Sequence, residues 1–398
     1  MIDIYQKLKE SVRDKRLIKV LLIPPDGTRA HSGGGLITNM YYEIFTKKGA
    51  VVDILPALGT HAPMSREAQI AFYGDIPAER FMVHRFRDGV TTLGEIPAGF
   101  ALDTVFDKTG VIGEIGKIPI QVSDCLLDPS YDLIISIGQV VPHEVAGMAN
   151  YTKNIVVGCG GSQFISASHM LGASYGIERI LGYTENPVRR LFDYAEEHFL
   201  SRLPLLYVLT VIDGGDIIGL FIGRERKIFE QAAALSQKRN ITYVDSPLRK
   251  CVVNLDADEF RSTWIGNKAV YRTRMAMADG GHLLVIAPGV KSFGEDAESD
   301  RIIRKYGFVG RERILELIKC EPDLQNNLSC AAHLIHGSSD GRFSITYAAP
   351  LLGKEAVESV GYNYMDLKDA ISLSKESGVY YIENPALGLW QVKGKETI

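Results

Sequence analysis

Short β-branched and aliphatic runs alternate along this chain with amphipathic stretches, and that alternation points to an α/β fold. Residues 18–25 (IKVLLIPP), 51–58, 131–140 and 154–157 read as strands, with helices over 36–48 and 65–73. In 210–222 a Gly-Gly pair splits two apolar runs, the pattern of a hairpin or tight turn. A helix over 225–238 then leads to a strand at 241–244, and the segment DSPLR at 245–249 marks a boundary. Beyond it a second pattern begins: strand 250–255, helix 266–278, strand 282–287, helices 300–306 and 311–318, strand 343–347. The expectation is an N-terminal α/β domain over 1–245 and a C-terminal α/β domain over 246–370, with a cleft between them. Residues 371–398 are expected to pack back on the first domain.

Composition narrows the function. An apolar share of 46% and a charged share of 23% over 398 residues describe an ordinary globular protein with ample core. Forty-four Lys and Arg against 48 Asp and Glu argue against nucleic acid, whose phosphates call for a basic surface. The longest strongly apolar stretch, 203–212, is about half of the roughly 20 residues a membrane span needs. The first residues (MIDIYQKLKESVRDKR) are charged throughout and lack the apolar run of a secretory signal. Five scattered cysteines, Cys125, Cys159, Cys251, Cys320 and Cys330, contain no C-x-x-C pair and read as reduced thiols of a cytoplasmic protein.

Ligands of open α/β sheets collect where strands end and loops enter helices. Four such loops are rich in functional side chains. The first runs from Pro24 through Asp26, Gly27, Thr28, Arg29, His31 and Ser32 to Gly33-Gly34-Gly35, where backbone N–H groups could cradle a phosphate. It is neither a dinucleotide fingerprint nor a Walker loop. The second is Gly59-Thr60-His61-Ala62-Pro63-Met64. The third holds Pro142-His143-Glu144-Val145-Ala146-Gly147 and continues through Lys153 to Gly160-Gly161; the fourth centres on His169. No pair of these histidines has the close spacing of a zinc site, and no G-x-S-x-G is present. His333 and His336 read as structural.

At these loops the chain resembles the nickel-dependent lactate racemase family, whose members carry a nickel-pincer nucleotide. Asp26-Gly27-Thr28-Arg29 is similar to the family's D-H-T-R, and Gly59 to Met64 to its G-T-H-R-P-M. His143 to Gly147 with Lys153 ten residues after the histidine looks like its P-H-x-x-A-G segment. His169, sixteen residues later, matches its metal-binding histidine, and Lys268 its second-domain lysine. The resemblance implies that the cleft between the domains holds cofactor and substrate. It implies a cofactor tethered through Lys153 in a setting that includes Asp26, Thr28, Gly160 and Gly161, with His169 on nickel. A site of soft donors plus one imidazole suits Ni(II). His61 and His143 would be the acid–base pair, and Arg29, Lys268 and Trp264 would meet the substrate. Enzymes that build the cofactor would be partners, and a purified sample could lack the group.

The implied chemistry is inversion of C2 in a 2-hydroxy acid. Hydride leaves C2 while a base takes the hydroxyl proton, and the flat 2-keto acid reorients before the hydride returns. Histidines, with pKa near 6.5, can serve as base or acid on either side. Two positions depart from the family: Gly27 stands where it has histidine, and Trp264 where lactate-type members tend to have tyrosine followed by glutamine. Both sit near the expected substrate and turn the expectation toward a longer acid such as an aldonate, which could reach His31, Ser32 or Asn267. Two other readings share the fold: a nicotinamide-dependent 2-hydroxy acid oxidoreductase, and a non-catalytic cofactor-binding protein.

Overall fold

The computed structural model describes residues 3–100, 117–386 and 388–394. They form two α/β units, each with its own five-stranded sheet.

The first sheet is built from β1 (Lys19–Ile23), β2 (Val51–Ile54), β3 (Leu133–Gln139), β4 (Leu205–Asp213) and β5 (Asp216–Gly223) in the order β2-β1-β3-β4-β5. The first four strands run parallel and β5 is antiparallel to β4. Strand β3 is buried at every position, as a strand covered on both faces must be, which explains why it reads as an unbroken apolar run. The β4–β5 hairpin turns on Gly214 (φ 57°) and Gly215 (φ 89°), as the Gly-Gly pair indicates. Val20, Leu22, Ile135 and Val208 pack with Tyr41 and Phe45 of α1 (Gly34–Thr46). Each buried aliphatic contributes about 1.5–3 kcal/mol.

The glycine run at 33–35 is required by close packing. Gly33 takes the left-handed conformation before α1. A Cβ on Gly35 would lie 1.9 Å from the Phe72 carbonyl oxygen, and the Gly34 N–H donates to Ser32 Oγ at 3.0 Å.

The second sheet, all parallel, contains β6 (Leu248–Asn254), β7 (Met277–Ile286), β8 (Phe343–Ala348), β9 (Asn363–Tyr364) and β10 (Tyr380–Ile382) in the order β9-β8-β7-β6-β10. Val253, Val285 and Tyr347 lie at the centre of its core.

Four expectations need correction. Among the described residues, the units do not divide at 245: the second takes 169–182 and everything from 240 on. The C-terminal segment joins that second unit, because β10 pairs with β6 and Leu389–Val392 pairs with Ile241–Val244; residues 387 and 395–398 lie outside the described residues. The run at 154–157 is not a strand but part of the short helix Thr152–Val156. Its β-branched composition is overruled by tertiary hydrogen bonds from Asn154 Nδ2 to Ile23 O (3.2 Å) and Ser136 Oγ (3.0 Å). The helix expected over 266–278 is two single turns, Thr263–Gly266 and Lys268–Tyr271, before β7 begins. Between them the fully buried Asn267 accepts hydroxyls from Tyr347 (2.7 Å) and Tyr362 (3.1 Å).

Candidate active site

Strands β2, β1 and β3 are adjacent and parallel, so the loops leaving their carboxyl ends share one edge of the first sheet. The chain moves outward from β1 to β2 and then returns to the other side of β1 as β3. That reversal makes the β1/β3 border the switch point where ligands of such sheets bind. Asp26 follows β1, His61 follows β2 and His143 follows β3.

Asp26 is buried and caps the 3₁₀ turn Gly27–Ser32, accepting from the Thr28 N–H (3.2 Å) and Thr28 Oγ1 (2.5 Å). Its second oxygen meets His61 Nδ1 at 2.6 Å. Burial pushes the Asp26 carboxyl up, but the His61 contact, the Thr28 hydroxyl and the Arg29 charge together hold it below the usual carboxylate value. The group is therefore an anion at neutral pH. It assigns the proton of neutral His61 to Nδ1 and leaves Nε2 with the lone pair. The His61 side chain is 39% exposed, so that nitrogen is reachable.

His143 is set the opposite way. It lies in a two-residue pairing of Pro142–His143 with Gly147–Met148, and the turn between them aims two amides at its ring. Nδ1 accepts from the N–H groups of Val145 (3.1 Å) and Ala146 (3.3 Å), so the neutral ring carries its proton on Nε2. Glu144 stands 3.8 Å from Nδ1.

Lys153 lies on the helix Thr152–Val156, which Asn154 ties to the end of β1 at Ile23 and to the middle of β3 at Ser136. Burial and the Arg29 charge push its amine down to about 8, with Arg189 adding to the shift and Glu144 and Asp26 opposing it. A lysine in this state offers a substantial neutral, nucleophilic fraction near neutral pH. The first unit thus brings Asp26, Arg29, His61 and Lys153 together.

Gly160 and Gly161 both stand where no side chain fits. A Cβ at Gly160 would lie 1.8 Å from the Val156 carbonyl oxygen, and one at Gly161 would lie 2.1 Å from Gln121 Oε1. Gly160 thus lets backbone pack on backbone, and Gly161 makes room for the Gln121 side chain. Buried His84, which no motif signals, takes up the Gly160 carbonyl at 3.0 Å. Gly27 also differs: a Cβ there would meet the Met64 methyl at 3.1 Å, so Met64 borders the space a larger side chain would need.

Within the second unit, Lys268 opens its short helix with Nζ 5.8 Å from the Phe260 ring. Trp264 stacks on His333, with centroids 4.4 Å apart. His333 and His336 are buried in the core, as expected. Asn267 and Ser32, suggested by the sequence as reachable polar groups, are buried and hydrogen-bonded within the protein, whereas His31 is exposed. His169 is half-buried on the helix Ser162–Tyr175, just past the point where the chain passes from the first unit to the second. Among the described residues no three His, Cys, Asp or Glu side chains gather as metal ligands, and no helix is long and apolar enough to cross a membrane.

No family model matches the chain. It is 25% identical to lactate racemase of Thermoanaerobacterium thermosaccharolyticum over 232 residues, 56% of this chain and 48% of that protein. The chain thus spans about half the length of the curated relative it matches. Among solved structures, a Thermotoga maritima protein superposes with a TM-score of 0.86 at 25% identity, covering 98% of this chain and 97% of that one. The lactate racemase apoprotein from T. thermosaccharolyticum superposes with a TM-score of 0.72 at 19% identity, covering 98% and 92%. The fold is that of lactate racemase.

Proposed function

We propose that this chain is a 2-hydroxy acid racemase or epimerase acting at C2, with a nickel-pincer nucleotide attached through Lys153 and its nickel met by His169. The observation that carries the reading is Lys153: an amine pushed down to about 8, at the switch point of the sheet, beside Asp26 and Arg29. Its residues fit the group. Forming a covalent bond to a carboxyl-derived carbon needs a neutral amine, and a half-buried imidazole is a suitable nickel donor. When bound, the group supplies a hydride acceptor for C2.

The chain's own residues do the rest. Arg29 holds the substrate carboxylate, and Lys268 is its proposed partner in that task. His61 Nε2 takes the hydroxyl proton, and the Asp26 carboxylate stabilises the imidazolium that results. His143, with its proton on Nε2, donates a hydrogen bond to the substrate oxygen on its side. For the opposite enantiomer the roles exchange, and His143 Nε2 can accept a proton only if Nδ1 gives up the Val145 and Ala146 amides. Because the reverse reaction retraces the same states, giving up these two amides weighs on both directions alike.

Gly27 and Trp264 favour a chain longer than lactate, while the Met64 methyl limits how much room Gly27 leaves. Chiral analysis of single enantiomers of lactate, malate and gluconate, incubated with protein co-produced with the cofactor-making enzymes, tests the reading. Inversion at C2 of at least one acid supports it, with gluconate or malate faster than lactate. No inversion of any of them, by protein shown to carry the group, refutes it.

A further inference from the structure

Arg189 has no place in the chemistry above, yet it is fully buried. A buried guanidinium is expensive to keep unless something fixed requires it. Among the described residues it pairs with no carboxylate. It donates to the carbonyl oxygens of Met148 (2.5 Å) and Asn150 (3.5 Å), while its Nε has no hydrogen-bond partner among the described residues. Its flat face lies 4.3 Å from the Phe229 ring centroid and 5.2 Å from that of Phe192.

The backbone it grips is unusual. Asn150 (φ 67°) and Tyr151 (φ 60°) are consecutive non-glycine residues in positive-φ conformations, which side chains with a Cβ rarely adopt. They lead directly into the helix that carries Lys153. Tyr151 is pinned further: its hydroxyl donates to Arg224 O at 2.8 Å, and its ring stacks on Phe229. The Asn150 side chain fits only because residue 138 is glycine, since a Cβ there would lie 1.9 Å from Asn150 Nδ2. Strain of this kind persists only where the surroundings over-determine it, and it concentrates where a side chain must be aimed.

We propose that Arg189 is a positioning residue for Lys153, its guanidinium clamping the Met148 and Asn150 carbonyls so that the strained Asn150–Tyr151 turn holds the lysine at the switch point. This rests on Lys153 as the attachment residue and adds the device that sets it. The arrangement also places a buried positive charge near the amine, which favours its neutral form alongside Arg29 and against Asp26 and Glu144.

The test uses the full chain without cofactor, so its outcome does not depend on whether the protein racemises anything. Trace acetic anhydride is added across a pH series, and acetylation of Lys153 and of exposed Lys368 is read by peptide mass spectrometry. In the wild type, Lys153 should reach half-maximal reactivity near pH 8, below the ordinary lysine value of about 10.4. In Arg189→Met the Lys153 midpoint should move upward, with at least a threefold loss of Lys153 labelling at pH 8 when normalised to Lys368. If that variant fails to fold, Arg189→Lys decides: it keeps a charge but loses the fork, and Lys153 labelling should fall at least threefold with little change in midpoint. A Lys153 profile identical to wild type in whichever variant folds overturns the proposal and leaves Arg189 a packing residue.

Discussion

Replacing Asp26 by Asn changes one atom of the site and reverses a hydrogen bond. In the wild type, ionised Oδ2 receives the His61 Nδ1 proton at 2.6 Å. An amide NH₂ in that place donates instead, so His61 must move its own proton to Nε2 and lose the lone pair that faces solvent. The shape of the loop survives, because Thr28 still finds an oxygen to cap. A hydrogen bond to a charged group is worth about 1.5–3 kcal/mol, which alone predicts a loss of roughly 10- to 150-fold in kcat. Losing the base tautomer adds to this, and the same exchange in a serine protease triad costs about 10⁴. Expected, then, is a fall of at least tenfold in kcat for loaded enzyme with KM little changed. In the cofactor-free protein, ¹⁵N-histidine spectra should show the His61 proton on Nδ1 in the wild type and on Nε2 in Asp26→Asn. Unchanged turnover together with an unchanged His61 tautomer would refute the reasoning.

Three further outcomes follow from the same geometry. Gly160→Ala should lower stability by about 3 kcal/mol in denaturant unfolding, because the new methyl meets the Val156 carbonyl rather than a movable side chain, whereas Gly27→Ala should cost under about 1 kcal/mol, since only the Met64 methyl must shift. Asn267→Leu should cost about 1–3 kcal/mol by leaving the Tyr347 hydroxyl without its acceptor, while Tyr362 keeps Gly337 O at 2.8 Å. Asp26 has a carboxyl held low in the folded state, so its stabilisation is complete above the unfolded value near 3.9 and is lost as pH falls through the folded value. Stability measured from pH 5 downward should therefore drop less steeply in Asp26→Asn than in the wild type.

The strands that build the first sheet are legible in the sequence because parallel strands covered on both faces must be apolar without interruption, as Leu133–Gln139 is. The β4–β5 hairpin is legible because two glycines supply the positive φ it needs. Residues 154–157 mislead because four β-branched and amide positions carry no usable period, and the deciding hydrogen bonds reach back to Ile23 and Ser136. Asn267 misleads for a related reason: the tyrosines that bind it and interrupt the helix lie 80 and 95 residues away. At the candidate site, the strand-end loops and the lysine stand out through their residue types. The pairing of Asp26 with His61 does not, since it joins positions 35 apart through two separate loops. Arg189 follows Asn186-Pro187, a legible helix start, but nothing local indicates that its side chain turns inward to grip a strained turn.

The central claim is that Lys153 carries the cofactor, and intact-mass spectrometry of protein co-produced with the cofactor-making enzymes tests it most directly. The account predicts a discrete mass increment in the wild type, placed on the Lys153 peptide by fragmentation and absent from Lys153→Ala. An increment that persists in Lys153→Ala, or a wild type that gains none, would contradict it.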